Sequence, residues 1–176
     1  MRYALIYGSL AGFLIISVML AGIVLTDDHG SGSMLFGYSV MLVAMSFMFV
    51  GVKRYRDVEC GGVIRFWPAL KMGLGIAVVA GLAYVLVWEI YEASTGYRFM
   101  DDYLAAMARD LAAQGRSPAE VAREMAGYDW MRQNYPNPLI RLPLIFSEVF
   151  PVGLLAALFS AALLRNPKVL PATRTQ

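Results

Sequence analysis

Cysteine and histidine are almost absent from this sequence, since each occurs once, as Cys60 and His29. A lone cysteine cannot form an internal disulfide, and neither residue has partners at the spacing of a zinc site. Charge is also scarce: Asp, Glu, Lys and Arg make up 16% of the 176 residues, and the net charge is +2. We therefore expect no metal, no cofactor and no nucleic-acid partner.

Sequence motifs that are typical of enzymes are absent as well. The chain contains no HExxH, GxSxG, Walker or GxGxxG pattern. A lipid-acting enzyme that uses Glu148 as a general base would still need a nucleophile, and none is visible. His29 lies in a Gly/Ser-rich linker, where exposure to solvent is expected rather than catalysis. The sequence predicts that the protein is not an enzyme.

Long apolar runs dominate what remains. Hydrophobic residues make up 59% of the chain, which is well above the level of a soluble domain. Four runs are long enough to cross a membrane, and they predict an all-α, polytopic protein with one membrane domain over residues 1–176. A secretory signal peptide is the alternative for the first run, but its apolar part is too long. The predicted spans cover residues 3–25, 34–52, 69–91 and 139–164.

The one sizeable polar segment, residues 93–138, predicts two short amphipathic helices. The first carries an apolar stripe at helical spacing. The second begins at Ser117-Pro118-Ala119-Glu120, which has the form of a capping box with proline at the first helical position. Prolines 136 and 138 should end it. We expect an external helical hairpin between the third and fourth spans.

The distribution of Lys and Arg predicts the orientation of the chain. Nine of them fall at the N-terminus, in residues 53–71 and in the tail, whereas residues 93–138 carry five arginines offset by six carboxylates. By the positive-inside rule the nine face the cytoplasm. We expect a multi-pass protein of the bacterial cytoplasmic membrane, with both termini and the basic loop inside.

Five separated blocks also occur in a characteristic order. They are FVGVKRYRD (49–57), a Gly-Gly-x-Ile-x-Phe pattern (61–66), Lys-x-Gly (71–73), YVLVWEIY (84–91) and EVFPVGL (148–154). In this respect the chain resembles the bacterial integral membrane family DUF4199, a domain of unknown function. The resemblance covers nearly the whole chain and implies a four-span fold, but it implies no activity.

Small residues at spacing four suggest where helices approach closely. Without a hydrophobic force between them, membrane helices gain contact through such faces. Two interpretations stay open, packing within one bundle and the seam of a homodimer. For the dimer, the face of Gly8 and Gly12 and the external hairpin are the expected contacts. The glycines concerned are Gly8, Gly12, Gly73, Gly81 and Gly153.

Carboxylates near the outer ends of the third and fourth helices form a candidate charge site. Glu148 lies one turn before Pro151, and an ionised carboxylate at membrane depth needs a partner. We expect it to turn inward, towards Arg141, Arg98 or Tyr84. A structural ion pair, a proton or cation site and a snorkelling surface group are the three interpretations. The candidate site comprises Glu148, Glu89, Glu92, Arg141, Arg98 and Tyr84.

The basic loop between the second and third spans is a second candidate. Its cations surround Gly61-Gly62, where arginine and backbone N–H groups can hold a lipid phosphate. A plain positive-inside anchor is the alternative. The residues are Arg54, Arg56, Arg65 and Lys71.

These features favour a non-catalytic membrane scaffold or interaction module. Its expected partners are membrane lipid, a second copy of the chain and a protein bound through the external hairpin. A small-solute or ion pathway that uses the outer carboxylates is the alternative, and the scarcity of polar residues in the first two spans argues against it.

Overall fold

The computed structural model describes the backbone of residues 1–26 and 34–172, and the side chains of residues 1–22 and 38–172. The predicted linker at 26–33, with His29, and the tail cation Arg174 lie outside this range, apart from Thr26. The described residues form helices joined by turns, without strands. Residues 1–26 and 34–172 contain seven helices: α1 Arg2–Thr26, α2 Met34–Glu59, α3 Phe66–Thr95, α4 Phe99–Ala113, α5 Pro118–Ala126, α6 Asp129–Asn134 and α7 Pro138–Leu164.

Four long helices form the bundle. The most extensive contacts join α3 to α1 and to α7, and α2 packs against α1, α7 and, less extensively, α3. The core between them is apolar, and Ile15, Met48, Ile76 and Val149 are among its fully buried residues. Helix α3 is therefore the central element, which explains why its apolar run is so long.

Among the residues that the structure describes, three helical stretches are long and apolar enough to cross a membrane, namely Arg2–Gly22, Phe66–Thr95 and Pro138–Leu164. Their length at 1.5 Å per residue reaches or exceeds the hydrocarbon thickness of about 30 Å. Large apolar side chains such as Leu82, Leu86 and Phe159 are exposed on the bundle surface. Such a surface fits lipid and not water.

The polar segment contains three helices where the sequence predicted two, because α6 forms a short extra turn before the prolines. The capping box of α5 is confirmed: the Ser117 hydroxyl accepts from the Glu120 N–H, and the Glu120 carboxylate accepts from the Ser117 N–H at 2.8 Å. Pro138 does not exclude helix. It is the first residue of α7, where proline needs no hydrogen-bond partner, and Asn137 caps that helix.

The bundle has two ends, a hairpin end and a tail end. The hairpin end is where α4, α5 and α6 join α3 to α7. The tail end contains the turn at Gly61-Gly62 and the segment 165–172 that follows α7. Both glycines of the turn have positive φ, 63° and 86°, a backbone region that glycine enters without the steric cost of a side chain.

Candidate functional site

At the hairpin end, a buried arginine pairs with a carboxylate across two helices. Arg141, in the first turn of α7, donates from Nε to Glu89 Oε1 at 2.6 Å and from Nη2 to Glu89 Oε2 at 2.9 Å. Glu89 lies on α3, and its side chain is 25% exposed, whereas Arg141 is almost completely buried. Two parallel charge-assisted bonds fix orientation as well as distance.

The remaining donor of Arg141 holds the chain that enters α7. Its Nη1 donates to the carbonyls of Tyr135 and Pro136 at 3.0 and 3.1 Å. The guanidinium also lies 4.8 Å from the ring centroid of Tyr97, in the turn between α3 and α4, which is within cation–π range. Arg141 therefore joins both connections of the α4–α6 segment to the bundle.

Aromatic residues surround this ion pair. Trp88 donates from its indole nitrogen to the Tyr135 hydroxyl at 3.1 Å, and Phe99 packs edge-on against the Trp88 ring with centroids 4.7 Å apart. Tyr84 lies parallel to Trp88 and donates its hydroxyl to the sulfur of Met19 at 3.2 Å. Burial, as the main cause, raises the pKa of Tyr135, so this hydroxyl stays protonated.

Glu92, three residues after Glu89, is fully buried. Among the described residues, neither of its carboxylate oxygens has a hydrogen-bond partner. The Tyr135 hydroxyl and the backbone N–H of Phe99 lie nearest to this carboxylate, but neither meets it in good hydrogen-bonding geometry. A buried polar group without a well-formed hydrogen bond is costly, and among the described side chains Glu92 is the one at this end that the packing leaves unsatisfied.

For Glu148 the structure shows no ion pair within the described part of the chain. The residue is exposed on the bundle and, within that part, makes no hydrogen bond either, although its charge lies close enough to Tyr84 and Tyr135 to act on them. Arg141 pairs with Glu89 instead, because Glu148 lies two helical turns further along α7, about 10 Å away along the axis. Arg98 is also exposed and, within that same part of the chain, unpaired.

The tail end has a buried arginine of its own. Arg56 is 0% exposed and donates from Nη1 to the Val169 carbonyl at 2.9 Å, from Nη2 to the Leu170 carbonyl, and from Nε to Asp57 at 2.7 Å. Lys53 also pairs with Asp57. Burial tends to raise the pKa of Asp57, but the hydrogen bonds from Arg56 and Lys53 outweigh it, so the pKa lies below its usual value.

Of the two interpretations of the basic loop, the lipid-phosphate site does not fit Arg56, because its donors are used inside the protein. The other three residues of that candidate, Arg54, Arg65 and Lys71, are exposed. Where the structure describes side chains, none of these three makes an ion pair or hydrogen bond. Of these four candidate residues, Arg56 is thus a structural cation, and the other three have no such partner where the structure describes side chains.

The glycine faces lie between helices of the same chain. A Cβ at Gly12 would meet the Ala80 carbonyl at 2.5 Å, and Gly8 lies equally close to α3 at Val79. Gly73 faces Ala157, and Gly153 faces Ala77, so these two glycines bring α3 against α7. Because α3 covers the face of Gly8 and Gly12, that face is not free to form a dimer seam. Gly81, the remaining candidate, packs against Phe146.

Several of these functional contacts were not predicted. Tyr135 stands in an Asn-Tyr-Pro-Asn-Pro turn, and an aromatic residue between turn formers is the only sequence signal that marks it. The pairing of Arg56 with its sequence neighbour Asp57 was not predicted either. No three His, Cys, Asp or Glu side chains of the described residues come together as a metal site would require.

Long apolar helices in a bundle, with charged clusters at both ends, define a helical membrane protein. More particularly, the chain belongs to the family described as Protein of unknown function (DUF4199), which matches residues 6–166. No curated protein and no solved structure matches the chain.

Proposed function

We propose that this chain is a non-catalytic scaffold of the bacterial cytoplasmic membrane, with four spans and both termini in the cytoplasm. The fourth span is the apolar part of α2, residues 34–52. In this arrangement the α4–α6 segment is external. It presents an interaction surface, first of all to a second copy of the chain.

One observation carries this proposal: the two connections of the α4–α6 segment are bonded to the bundle, whereas the helices α5 and α6 between them are exposed. Arg141 and Trp88 hold its connections to the bundle. In contrast, α5 and α6 contain no buried residue, and Trp130 is 63% exposed. An exposed amphipathic segment that is attached at both connections and carries a large aromatic residue suits recognition, since aromatic anchors are enriched at interfaces.

Site-specific photo-crosslinking in membranes tests the proposal. A photoreactive phenylalanine analogue at position 130 should give a crosslinked dimer of the chain. The matched control is position 86, where Leu86 is comparably exposed on the middle of α3 and should face lipid. A dimer from both positions, or from neither, would contradict the assembly. Crosslinks from position 130 to a different protein alone would also contradict the homodimer.

A second candidate function is a proton or cation pathway, and the unpaired carboxylates favour it. Glu92 has no hydrogen-bond partner among the described residues, and Glu148 is exposed in the middle of an apolar helix. Under this proposal Glu92→Gln and Glu148→Gln lower proton or cation flux in proteoliposomes. Glu124→Gln, on exposed α5, is the control. Equal flux in all three variants and the wild type would exclude the pathway.

A further inference from the structure

At the tail end, an open groove runs between the start of α1, the end of α2 and the first turns of α3. Its volume is about 530 Å³. The residues that matter for its chemistry are Ala4, Tyr55, Trp67, Lys71, Met72 and Gly75. The groove is separate from the Arg141 and Arg56 clusters, and the proposed assembly does not use it.

The groove has a polar end and an apolar end. Trp67, Lys71 and Gly75 follow one another at spacing four, so they lie on one face of α3 and span about 12 Å along its axis. Trp67, at the helix start, is 68% exposed. Further into the helix the walls are Met72 and Ala4, without charge. This gradient matches the order of a lipid headgroup followed by its acyl chain.

Gly75 differs from the glycines that bring helices together. A Cβ at Gly75 would lie 3.4 Å from the Cβ of Ala4, an ordinary contact, whereas a Cβ at Gly73 would lie only 2.8 Å from that of Ala157. Close helix packing therefore does not require glycine at position 75. The missing side chain instead widens the groove at its apolar end, where an acyl chain would lie.

Lys71 provides a positive charge that can complement an anionic lipid headgroup. It lines the groove, is exposed, and makes no ion pair with any residue that the structure describes. Of the other cations at this end, Lys53 and Arg56 contact Asp57 and Arg2 pairs with Glu59, whereas Arg54 and Arg65 are exposed but do not line the groove. An ammonium group beside an exposed tryptophan at the start of a membrane helix favours an anionic headgroup at the interface.

We propose that this groove binds one anionic phospholipid, with its phosphate at Lys71 and an acyl chain along Gly75 and Ala4. The proposal requires a bilayer around the bundle but neither the homodimer nor the external position of α4–α6. A failure of the crosslinking experiment therefore leaves it unaffected. The occupant is a phospholipid rather than a second helix, because the exposed ammonium group of Lys71 lies at one end of the groove and uncharged walls lie at the other.

Native mass spectrometry of the full chain in a mild detergent tests this site. The probes are dioleoyl phosphatidylglycerol and dioleoyl phosphatidylcholine at equal concentrations. The wild type should retain one phosphatidylglycerol in preference to phosphatidylcholine. Lys71→Gln should weaken phosphatidylglycerol binding about fivefold, which is the loss expected for one interfacial cation at about 1 kcal/mol. Lys168→Gln removes the same charge outside the groove and should change nothing.

Gly75→Leu provides the complementary measurement, because it fills the apolar end and leaves Lys71 in place. It should weaken binding of both lipids by a similar factor, and Lys71→Arg should restore the preference that Lys71→Gln removes. Equal losses in Lys71→Gln and Lys168→Gln would overturn the proposal, since they indicate general surface attraction. Equal retention of the two lipids by the wild type would overturn it as well.

Discussion

Two buried arginines make the same kind of contact at opposite ends of the bundle. Arg141 holds the carbonyls of Tyr135 and Pro136, and Arg56 holds those of Val169 and Leu170. Each also pairs with a carboxylate, which offsets the cost of burying its charge. Guanidinium suits this role because it offers five donors in a fixed plane. Each arginine attaches a non-helical segment to the helices.

Both arginines also lie beside strained backbone. Tyr97 and Leu170 are the non-glycine residues with positive φ in the described chain, at 59° and 47°. Such a conformation costs about 1–3 kcal/mol and persists only where its surroundings impose it. The ring of Tyr97 contacts Arg141, and the carbonyl of Leu170 accepts from Arg56. The arginine contacts supply that constraint.

Glu89 and Glu92 form a matched pair for testing the hairpin end. Glu89→Gln leaves the buried guanidinium of Arg141 without its counter-charge, and we expect it to lower the free energy of unfolding by about 2–3 kcal/mol. Glu92→Gln removes a carboxylate that has no hydrogen-bond partner among the described residues. It should leave stability unchanged or raise it. Both are measured by titration with a denaturing detergent.

The matched pair also shows whether the Glu92 carboxylate is unpaired or has a partner in the membrane. A loss in Glu92→Gln as large as that in Glu89→Gln would mean that the Glu92 carboxylate has a partner in the membrane. Glu148→Gln serves as the control, because Glu148 is exposed and without an ion pair within the described part of the chain. Because this substitution breaks no ion pair, we expect almost no change in the free energy of unfolding.

At the tail end, acid should detach segment 165–172 from helix α2. The pKa of Asp57 lies below its ordinary value in the folded protein, so its ionised form stabilises the fold. This contribution is complete above a pH of about 4 and is lost as the pH falls through the lower folded pKa. Limited proteolysis should show segment 165–172 becoming susceptible over that range. In Asp57→Asn it should be susceptible already at neutral pH; a variant that remains protected would contradict the role of Asp57.

At the scale of elements, the α4–α6 segment and the bundle follow different rules. The long helices bury apolar faces against one another, whereas α5 has no buried residue and relies on its own ends. The exposed ion pair of Arg132 with Asp101, at 2.8 Å, joins α6 to α4, but such a pair contributes little. Local stability in this segment therefore depends on helix caps and on its two attached connections.

Removing the cap should loosen α5 alone. In Ser117→Ala the N–H of Glu120 loses its acceptor, and helix caps of this kind contribute about 1 kcal/mol. Amide hydrogen exchange should become about fivefold faster in α5, by conversion of that free energy, and stay unchanged in α1 and α3. Ser94→Ala is a control, because the hydroxyl of Ser94 bonds only to the carbonyl of Tyr91. Faster exchange throughout the bundle would show that α5 supports the core after all.

At the scale of the whole molecule, proposed topology and observed packing are consistent with each other. Helix α3 contacts α1 and α7 through glycine and alanine faces. The hairpin end carries the polar α4–α6 segment, and the tail end carries the free cations Arg54, Arg65 and Lys71. The four-span proposal has an even number of crossings, which would place both termini on the same side, and the positive-inside rule would place these cations in the cytoplasm.

Reporter fusions test this topology directly. A reporter after residue 176, or inserted within residues 58–64, should behave as cytoplasmic. A reporter near Gly115, in the turn after α4, should behave as external. The control is the same reporter fused after residue 60 of a truncated chain, which should also be cytoplasmic. An external C-terminus would require an odd number of crossings and would contradict the four-span proposal.

The sequence by itself determined the helical membrane character and the family, because apolar runs of about 20 residues and an ordered set of sequence blocks can be read along the chain without knowing which helices are neighbours. It also determined the capping box, since Ser117 and Glu120 lie within one turn of each other. The tertiary structure alone decided which charges meet. Arg141 pairs with Glu89, 52 residues away, and Arg56 binds Val169, 113 residues away. Such pairs depend on the level and rotation of neighbouring helices, which hydropathy does not specify, so the sequence did not show that Arg141 pairs with Glu89 or that Arg56 binds the tail.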